Sequence, residues 1–411
     1  MGGGVAGATA ALEIRKHDTN GEIILISDED YQFYKRSKII NLISASCSEE
    51  DLFPKGKKVY DDNSISFVND HVEKVIPEEN QIILKNGQNI HYDNLLIASG
   101  GSPILMPWKG IELEGVYTLY DLDNAKKIAK QVCNAKRVVI LGGGSIAMKA
   151  IQNFKKIGLD ISIIEKSSHL WPIGFDRKAA RIVESKIREM GIQIYLEKEV
   201  AEFKGENGKL SSIILKSGEE IYADLAVITI GMKPNIDFLM DSGVKIEKGI
   251  IVDSFMRTNI PNIYAAGDVA QVFDPLYNMP ILHPTWGNAK NQGKIVARNM
   301  VGENVKFEGT IPIQSIKIFG FTAIAVGITH SKKNFDEISW ISFEKNLFRK
   351  FVLKNDQLIG ILILGKNINK KVLKPMLKKA VFNKVRVNNY KHLLVKEDFV
   401  YSSLLINLNK I

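Results

Sequence analysis

Two glycine-rich turns with the same spacing constrain the fold of this chain more than any other feature. The turns consist of Gly2, Gly4 and Gly7 in the first copy and of Gly142, Gly144 and Ala147 in the second. In a strand–turn–helix unit, such glycines allow a tight turn and let the pyrophosphate of a dinucleotide approach the backbone. The two turns therefore predict two dinucleotide sites on one polypeptide.

An acidic residue completes each of these units. Glu29 follows an apolar strand predicted at residues 21–27, and Glu165 ends a second strand that begins at Asp160. An acid in this place accepts hydrogen bonds from the ribose hydroxyls of the nucleotide. At the second site Glu165 favours NADH over NADPH, because it repels a 2′-phosphate and only Lys166 offers a nearby positive charge.

The two turns differ in the residues before them. The apolar strand Arg-Val-Val-Ile-Leu at 137–141 precedes Gly142, whereas Met1 alone precedes Gly2. A βαβ unit needs a strand in this place. We therefore expect an unpaired sheet edge beside the first turn and a weakened affinity for the first nucleotide.

A second repeated pattern supports an internal duplication. Residues 81–92 predict a hairpin with Asn86 and Gly87 in a type I′ turn, and residues 216–219 predict another hairpin-like turn. Each leads into an apolar strand that ends near a glycine, at Gly100 and at Gly231. The two nucleotide domains are thus expected to share one fold.

Taken in order, these motifs resemble the FAD-dependent pyridine nucleotide–disulfide oxidoreductase superfamily. The similar branch lacks a redox disulfide and includes NADH–rubredoxin reductases and the flavin part of assimilatory nitrite reductases. The matching segments run from Gly2 to about Gly302 and are GGGVAG, YDNLLIASGGSP, LGGGSIA, GMKPN, IYAAGDV and PTWGNAKNQG. The last hundred residues match only loosely.

The resemblance implies that the first nucleotide is FAD and the second NADH. Besides the first fingerprint and Glu29, it places at the flavin Arg36, Ser99, Gly100, Gly267, Asp268 and Trp286. It adds Gly231 to the NADH site. Asp268 would accept hydrogen bonds from the ribityl hydroxyls, and the helix that begins near Trp286 would direct its N-terminus at the flavin ring.

The implied fold class is α/β, with two Rossmann-like dinucleotide-binding domains (FAD and NAD), the second inserted in the first, and a small α+β C-terminal domain. The FAD domain is predicted at 1–112 and 236–304, the NAD domain at 113–235 and the C-terminal domain at 305–411.

Departures from the family pattern exclude some of its chemistry. Residues 37–41, directly after Arg36, include no cysteine, which disfavours disulfide, coenzyme A and peroxide chemistry. Lys149 stands where relatives often carry a glutamate, and Asn41 where some carry its lysine partner, so the resemblance implies that this ion pair near the nicotinamide is absent. His283 has no carboxylate partner visible in the sequence and is assigned a structural role. No spacing of ligand residues indicates a metal.

Composition narrows the location and the partners. No apolar run is long enough to span a membrane, no secretory signal is visible, and two distant cysteines fit a reducing, cytoplasmic setting. Residues 340–411 carry 15 Lys and Arg against 4 Asp and Glu. This excess indicates either an acidic docking partner or simply solvated charge. No motif indicates nucleic-acid binding.

The expected function is hydride transfer from NADH to FAD, followed by electron transfer to an acceptor. The acceptor stays open between an acidic carrier protein such as rubredoxin or ferredoxin, dioxygen (an NADH oxidase) and a small molecule. A flavin- or NADH-binding protein without turnover is the alternative of another class. A dehydrogenase with NAD alone is harder to reconcile with Gly267 and Asp268.

Overall fold

The computed structural model describes residues 1–330 and 334–406. Its α-helices in these ranges are α1 Val5–His17, α2 Ile39–Ile43, α3 Leu122–Gln131, α4 Ser145–Lys156, α5 Arg177–Glu189, α6 Trp286–Met300, α7 Lys370–Phe382 and α8 Ser403–Ile406. None of these helices combines the length and the apolar character needed to cross a membrane.

The described strands range from two residues in β17 to ten in β25. The first fifteen are β1 Ile24–Ser27, β2 Ser66–Asn69, β3 Val72–Ile76, β4 Gln81–Leu84, β5 Asn89–His91, β6 Leu95–Ile97, β7 Gly101–Pro103, β8 Val116–Thr118, β9 Arg137–Leu141, β10 Asp160–Glu165, β11 Gln193–Leu196, β12 Val200–Glu206, β13 Lys209–Leu215, β14 Glu220–Tyr222 and β15 Leu225–Ile228. The others are β16 Met232–Pro234, β17 Ile250–Ile251, β18 Ile263–Ala265, β19 Ala270–Asp274, β20 Met279–Leu282, β21 Ile313–Ile318, β22 Phe321–Gly327, β23 Asp336–Ser342, β24 Leu347–Lys354 and β25 Gln357–Lys366.

The chain forms two compact units. The first consists of Met1–Lys38, Cys47–Ser102 and Met232–Thr310, and the second of Ile39–Ser46, Pro103–Gly231 and the described residues from Ile311 on. Most of the predicted domains 113–235 and 305–411 falls in the same compact unit, so this division into units does not separate them. The three-domain division therefore stays a prediction.

The first unit contains two parallel sheets of two strands each. β1 pairs with β2, and β6 pairs with β18. A short antiparallel sheet of β3–β5 accompanies them, together with a mixed sheet in which β17 is parallel and β20 antiparallel to β19. Helices α1 and α6 pack closely, because a Cβ on Gly293 of α6 would lie 2.4 Å from the Ala6 carbonyl oxygen of α1.

The second unit contains a continuous parallel sheet. Its five strands follow the order β11-β10-β9-β15-β8. Buried apolar residues dominate these strands, as parallel sheets require when both faces are covered. β9 is the central strand and leads directly into the second glycine-rich turn and α4.

Two antiparallel sheets also belong to the second unit, a three-stranded one of β12-β13-β14 and a larger one of five strands. The larger sheet has the order β21-β22-β25-β24-β23, and α7 packs against β22 and β25. Strand β22 is buried along its whole length and β25 over eight successive residues, so the sheet has a dense apolar centre. This part has the α+β character predicted for the C-terminal region.

The first predicted hairpin forms, but its predicted turn type is wrong. β4 and β5 pair in antiparallel register, and Gly87 has φ +86°. Asn86 does not have the positive φ that a type I′ turn requires at both central positions. The reason is the length of the loop. With more than two residues between the strands, the left-handed glycine alone closes it.

Candidate functional site

The first glycine-rich turn is closed by backbone contacts that leave no room for side chains. Gly2 has φ +104°, and a Cβ there would lie 2.1 Å from the carbonyl oxygen of Ala98. A Cβ on Gly7 would lie 2.0 Å from the carbonyl oxygen of Gly2. Both positions therefore require glycine for the turn itself.

Gly4 and Gly144 have the opposite surroundings. Each is the N-cap of the helix after its turn, with φ near −70°, and a Cβ on either would meet nothing within 4 Å. Among the described helices longer than two turns, only α1 and α4 begin without a side-chain cap. The others are capped by Asp121, Asp176, Thr285 and Asn369.

These two uncapped helix ends suit anions. The first N–H groups of an α-helix have no partner within the helix, and the helix dipole adds a partial positive charge there. A phosphate in the open space beside Gly4 or Gly144 could accept hydrogen bonds from these groups. The chain thus offers two phosphate cradles of the same design.

The acid of the second site is held by its own loop. Glu165 is buried, and its Oε2 accepts a hydrogen bond of 2.6 Å from the backbone N–H of Gly143. Its Oε1 accepts another of 2.6 Å from the N–H of Ser167. Each carboxylate oxygen keeps a free lone pair, so ribose hydroxyls could still donate to it.

The other predicted residues of the second site line the same turn and the strand end beside it. Gly142 has φ +93°, and a Cβ there would lie 2.8 Å from the Thr229 carbonyl oxygen. Ala147 is fully buried in α4. Gly231 follows β15, has φ +129° and accepts a backbone hydrogen bond from Ile104.

Three charged residues predicted for the first site come together. Arg36 forms an ion pair with Glu29, whose Oε2 also accepts a hydrogen bond of 2.5 Å from the Tyr34 hydroxyl. Burial raises the pKa of the Asp268 carboxyl, while the positive charge of Arg36 acts in the opposite direction. The positive charge of Arg36 thus offsets the negative charges of both Glu29 and Asp268.

Gln292 is a residue of this site that the sequence reasoning did not single out. It lies on α6, is fully buried, and accepts a 2.6 Å hydrogen bond from the N–H of Gly267, which has φ +87°. Its Nε2 is buried without a hydrogen-bond partner among the described residues. A glutamine on the apolar face of a helix was the available signal, since buried polar groups need partners.

Asn235 is a second residue whose role emerges only in the structure. Its backbone oxygen accepts a 2.8 Å hydrogen bond from the Ser99 hydroxyl, and its Nδ2 donates a 3.0 Å hydrogen bond to the backbone carbonyl oxygen of Ser99. Its N–H donates 3.0 Å to the carbonyl of Gly100, which has φ +66°. Ser99 and Gly100 are therefore held in place across more than a hundred residues of sequence.

His283 lies beside a carboxylate that the sequence did not reveal. Its Nε2 lies 2.9 Å from Oδ2 of Asp274 and both side chains are buried, but neither atom has a hydrogen bond with geometry suited to it among the described residues. Asp274 ends β19 and His283 directly follows β20, and the antiparallel pairing of these strands brings the two side chains together.

Trp286, which the sequence predicted for the first site, is the first residue of α6. Its side chain is 42% exposed, and the Lys290 amino group lies over its ring.

The two departures near the predicted nicotinamide position lie in the second unit. Loss of water lowers the pKa of the Lys149 amino group, and the nearby charge of Lys370 lowers it further. Asn41 lies on α2, which packs against α4. One turn beyond Lys149 on α4, Asn153 accepts a 2.7 Å hydrogen bond from the Ser44 hydroxyl.

The first site fits FAD by its chemistry. The open space beside Gly4 and the uncapped helix end suit a pyrophosphate. The half-buried carboxyl of Asp268 is an acceptor for hydroxyl groups, and Nε2 of Gln292, which has no partner among the described residues, is a donor. The set thus offers groups for both the phosphate and the polyol parts of the molecule.

Comparisons with known proteins agree with this geometry. A family profile described as pyridine nucleotide-disulphide oxidoreductase matches residues 1–294. The chain is 26% identical over 375 residues to the assimilatory nitrate reductase electron transfer subunit of Bacillus subtilis (strain 168), covering 90% of this chain and 48% of that protein. It is 29% identical over 304 residues to a rubredoxin-NAD(+) reductase of Pseudomonas putida, covering 74% of this chain and 79% of that protein. Among solved structures, the covalent putidaredoxin reductase–putidaredoxin complex aligns with a TM-score of 0.90 at 22% identity, over 100% of this chain and 98% of that chain.

These likenesses decide the fold class and the kind of enzyme. The structural likeness confirms the predicted α/β class with Rossmann-like domains. The family profile confirms the predicted class of oxidoreductase with FAD and a pyridine nucleotide as cofactors. The chain spans about half the length of the Bacillus relative. Because the profile covers well over half of the sequence, the chain belongs to the pyridine nucleotide-disulphide oxidoreductase family.

Proposed function

We propose that this chain binds FAD in its first unit and NADH in its second, and passes electrons from NADH through the flavin to an acceptor. The residues proposed to hold FAD are Gly2, Gly4, Gly7, Glu29, Arg36, Ser99, Gly100, Gly267, Asp268 and Trp286. Those proposed to hold NADH are Gly142, Gly144, Ala147, Glu165 and Gly231. The two uncapped helix ends beside open space, at Gly4 and Gly144, carry the proposal.

When bound, the flavin supplies the redox chemistry between a two-electron donor and an acceptor. The protein's own residues bind and orient the two nucleotides. Helix ends α1 and α4 hold phosphates, Asp268 holds hydroxyl groups, and Arg36 balances the charge of Asp268 and Glu29. The negative charge of Glu165 selects against a nucleotide with a 2′-phosphate, so NADPH is the poorer donor.

An anaerobic visible spectrum tests the proposal. The purified chain, loaded with FAD if it is isolated without it, is recorded before and after one equivalent of NADH. We expect flavin absorption that bleaches with NADH and changes much less with NADPH. The same titration with Glu165→Gln is expected to narrow the difference between the two donors, because the repulsion of the 2′-phosphate is removed.

The outcomes of the titration separate the proposal from its alternative. Flavin absorption that NADH leaves unchanged would support a binding protein without turnover and contradict the proposal. A chain that takes up NADH but no FAD would contradict the assignment of the first unit.

The proposed acceptor is an acidic electron-carrier protein. Residues 340–411 carry 15 Lys and Arg against 4 Asp and Glu, and no acid occurs between Asp356 and Glu397. Helix α7 lies in this stretch and presents Lys370, Lys374 and Lys378 at intervals of four residues. The Pseudomonas putida relative is by its name a rubredoxin-NAD(+) reductase, which agrees with a carrier protein as acceptor.

Salt dependence of the reaction tests this choice of acceptor. With an acidic rubredoxin or ferredoxin in limiting amount, we expect the rate of its reduction to fall by roughly tenfold or more as salt rises from low to above physiological concentration. The matched control is dioxygen as acceptor, whose uncharged encounter should give a nearly flat profile. A carrier rate that is equally flat would exclude charge-guided docking, and fast oxygen consumption would favour an NADH oxidase.

The proposal includes a cytoplasmic location. Cys47 and Cys133 are both free thiols, which is the usual state in a reducing compartment. Fractionation of cells with an antibody against the chain measures this directly.

A further inference from the structure

Helix α5 carries a buried acid that none of the proposed nucleotide contacts uses. Among the described buried residues of this helix, Glu184 alone carries a charge. A carboxylate on the apolar face of a helix lowers stability unless it is hydrogen-bonded. Its Oε1 accepts a 2.8 Å hydrogen bond from the backbone N–H of Leu170, and both residues are buried. Glu184 therefore fixes the backbone of the 166–175 loop, which follows Glu165.

The 166–175 loop contacts the second glycine-rich turn at Gly143. A Cβ on Gly143 would lie 2.6 Å from Cδ2 of Leu170, so this side chain packs directly against the turn. The N–H of Trp171 donates a 2.9 Å hydrogen bond to the Gly143 carbonyl. The Gly143 N–H donates in turn to Oε2 of Glu165 at 2.6 Å. The loop, the turn and the acid are thus joined by consecutive contacts.

The backbone of Trp171 has a conformation that its surroundings must impose. Its φ is +50°, in the left-handed region that residues other than glycine rarely adopt. The Trp171 side chain is buried and lies edge-on to the Phe175 ring, with 4.7 Å between the ring centroids. Such conformations persist only where neighbouring contacts hold them. The hydrogen bond from Leu170 to Glu184 constrains the residue directly before Trp171.

We infer that Glu184 is a positioning residue for donor specificity, which holds the 166–175 loop so that Glu165 keeps its orientation toward the adenosine ribose of NADH. The inference rests on the proposed NADH site. Of the two hydrogen bonds that described residues donate to the Glu165 carboxylate, one comes from Ser167 in this loop and the other from Gly143, which the loop contacts. A loop released from Glu184 would loosen both donors, and with them the carboxylate that recognises the ribose and repels a 2′-phosphate.

Substitutions of Glu184 with and without a hydrogen-bond acceptor test this role. Glu184→Leu is similar in size but cannot accept the hydrogen bond, so the Leu170 N–H would be left buried without this partner. Glu184→Gln keeps an oxygen that accepts it. The matched control is Val183→Ala, which removes apolar volume from the buried face of the same helix and leaves the contact with Leu170 in place.

Binding of NAD⁺ and NADP⁺ to the FAD-loaded chain is measured by calorimetry, because the oxidised nucleotides have the same adenosine half and leave the flavin oxidised. For Glu184→Leu we expect the dissociation constant of NAD⁺ to rise roughly tenfold and that of NADP⁺ to change much less, because only NAD⁺ loses its ribose contact. The preference for NAD⁺ narrows by the same factor. We expect Glu184→Gln to keep this preference within about twofold. Val183→Ala should unfold at lower urea concentration without a change in the preference.

Amide hydrogen exchange without nucleotide measures the loop itself. The Ser167 and Trp171 amides should exchange at least roughly tenfold faster in Glu184→Leu than in the parent chain, because their acceptors are no longer held in place. In Glu184→Gln they should exchange as in the parent chain.

The outcomes separate this inference from the proposed function. An unchanged nucleotide preference in Glu184→Leu, or unchanged exchange at both amides, would overturn the inference while the proposed NADH site stands. A preference that changes equally in all three variants would give Glu184 a general stabilising role and would also overturn it. If Glu165→Gln likewise keeps the preference of the parent chain, the proposed NADH site fails and the inference fails with it.

Discussion

Gly4→Ala is expected to weaken FAD binding by roughly a hundredfold, which corresponds to about 2.7 kcal/mol. Gly4 has φ −70°, so alanine fits the backbone, and its Cβ would meet no protein atom within 4 Å. The methyl group would instead occupy the open space that the phosphate needs at the end of α1. Flavin content per chain and the dissociation constant of added FAD measure the effect.

Gly144→Ala is the matched control at the second turn. It has the same φ region and the same open surroundings at the end of α4, so it should impair NADH binding and leave FAD in place. Both variants should unfold at the same urea concentration as the parent chain when the flavin is removed from all three. Equal effects of both substitutions on both ligands would contradict the assignment of one nucleotide to each turn.

Gly7→Ala is a second comparison for Gly4→Ala, at a glycine that the turn itself requires. Its Cβ would lie 2.0 Å from the carbonyl oxygen of Gly2, so the turn itself must shift. A loss of stability without flavin is therefore expected for Gly7→Ala and not for Gly4→Ala. This contrast distinguishes a glycine that closes the turn from a glycine that leaves room for the ligand.

The stability of the chain is expected to rise by about 4 kcal/mol between pH 5 and pH 8. Burial lowers the pKa of the Met1 amino group from 8.0 to about 5. Between these values the unfolded chain holds a proton that the folded chain does not, so the free energy of unfolding rises with pH by about 1.4 kcal/mol per unit. Below pH 5 both states are protonated, and above pH 8 both are neutral.

Urea unfolding at several pH values measures this effect. The control is the same chain with an acetylated amino terminus, which removes the titrating amino group and leaves every other group in place. The contribution of all other groups is common to both chains, so the difference between the two curves belongs to the amino group. Parallel curves would contradict the burial of this group.

The sequence alone was sufficient for the features that depend on local spacing. The glycines of each turn, the helix after it and the acid at the end of the next strand lie within about thirty residues, and their order reflects the βαβ unit directly. The uncapped helix starts at Gly4 and Gly144 are the structural expression of this pattern. The predicted type I′ turn at Asn86 and Gly87 is wrong, because an Asn-Gly pair indicates this turn type only in a hairpin loop of two residues.

Only the tertiary structure decided which distant residues support these turns. Asn235 holds Ser99, Gln292 holds Gly267, and Asp274 faces His283, because strands and helices far apart in sequence meet in one core. No periodicity predicts such pairs, since hydrogen bonds between distant residues depend on how the elements pack. The sequence thus determined that two nucleotide turns exist, and the packing decided which groups hold each turn.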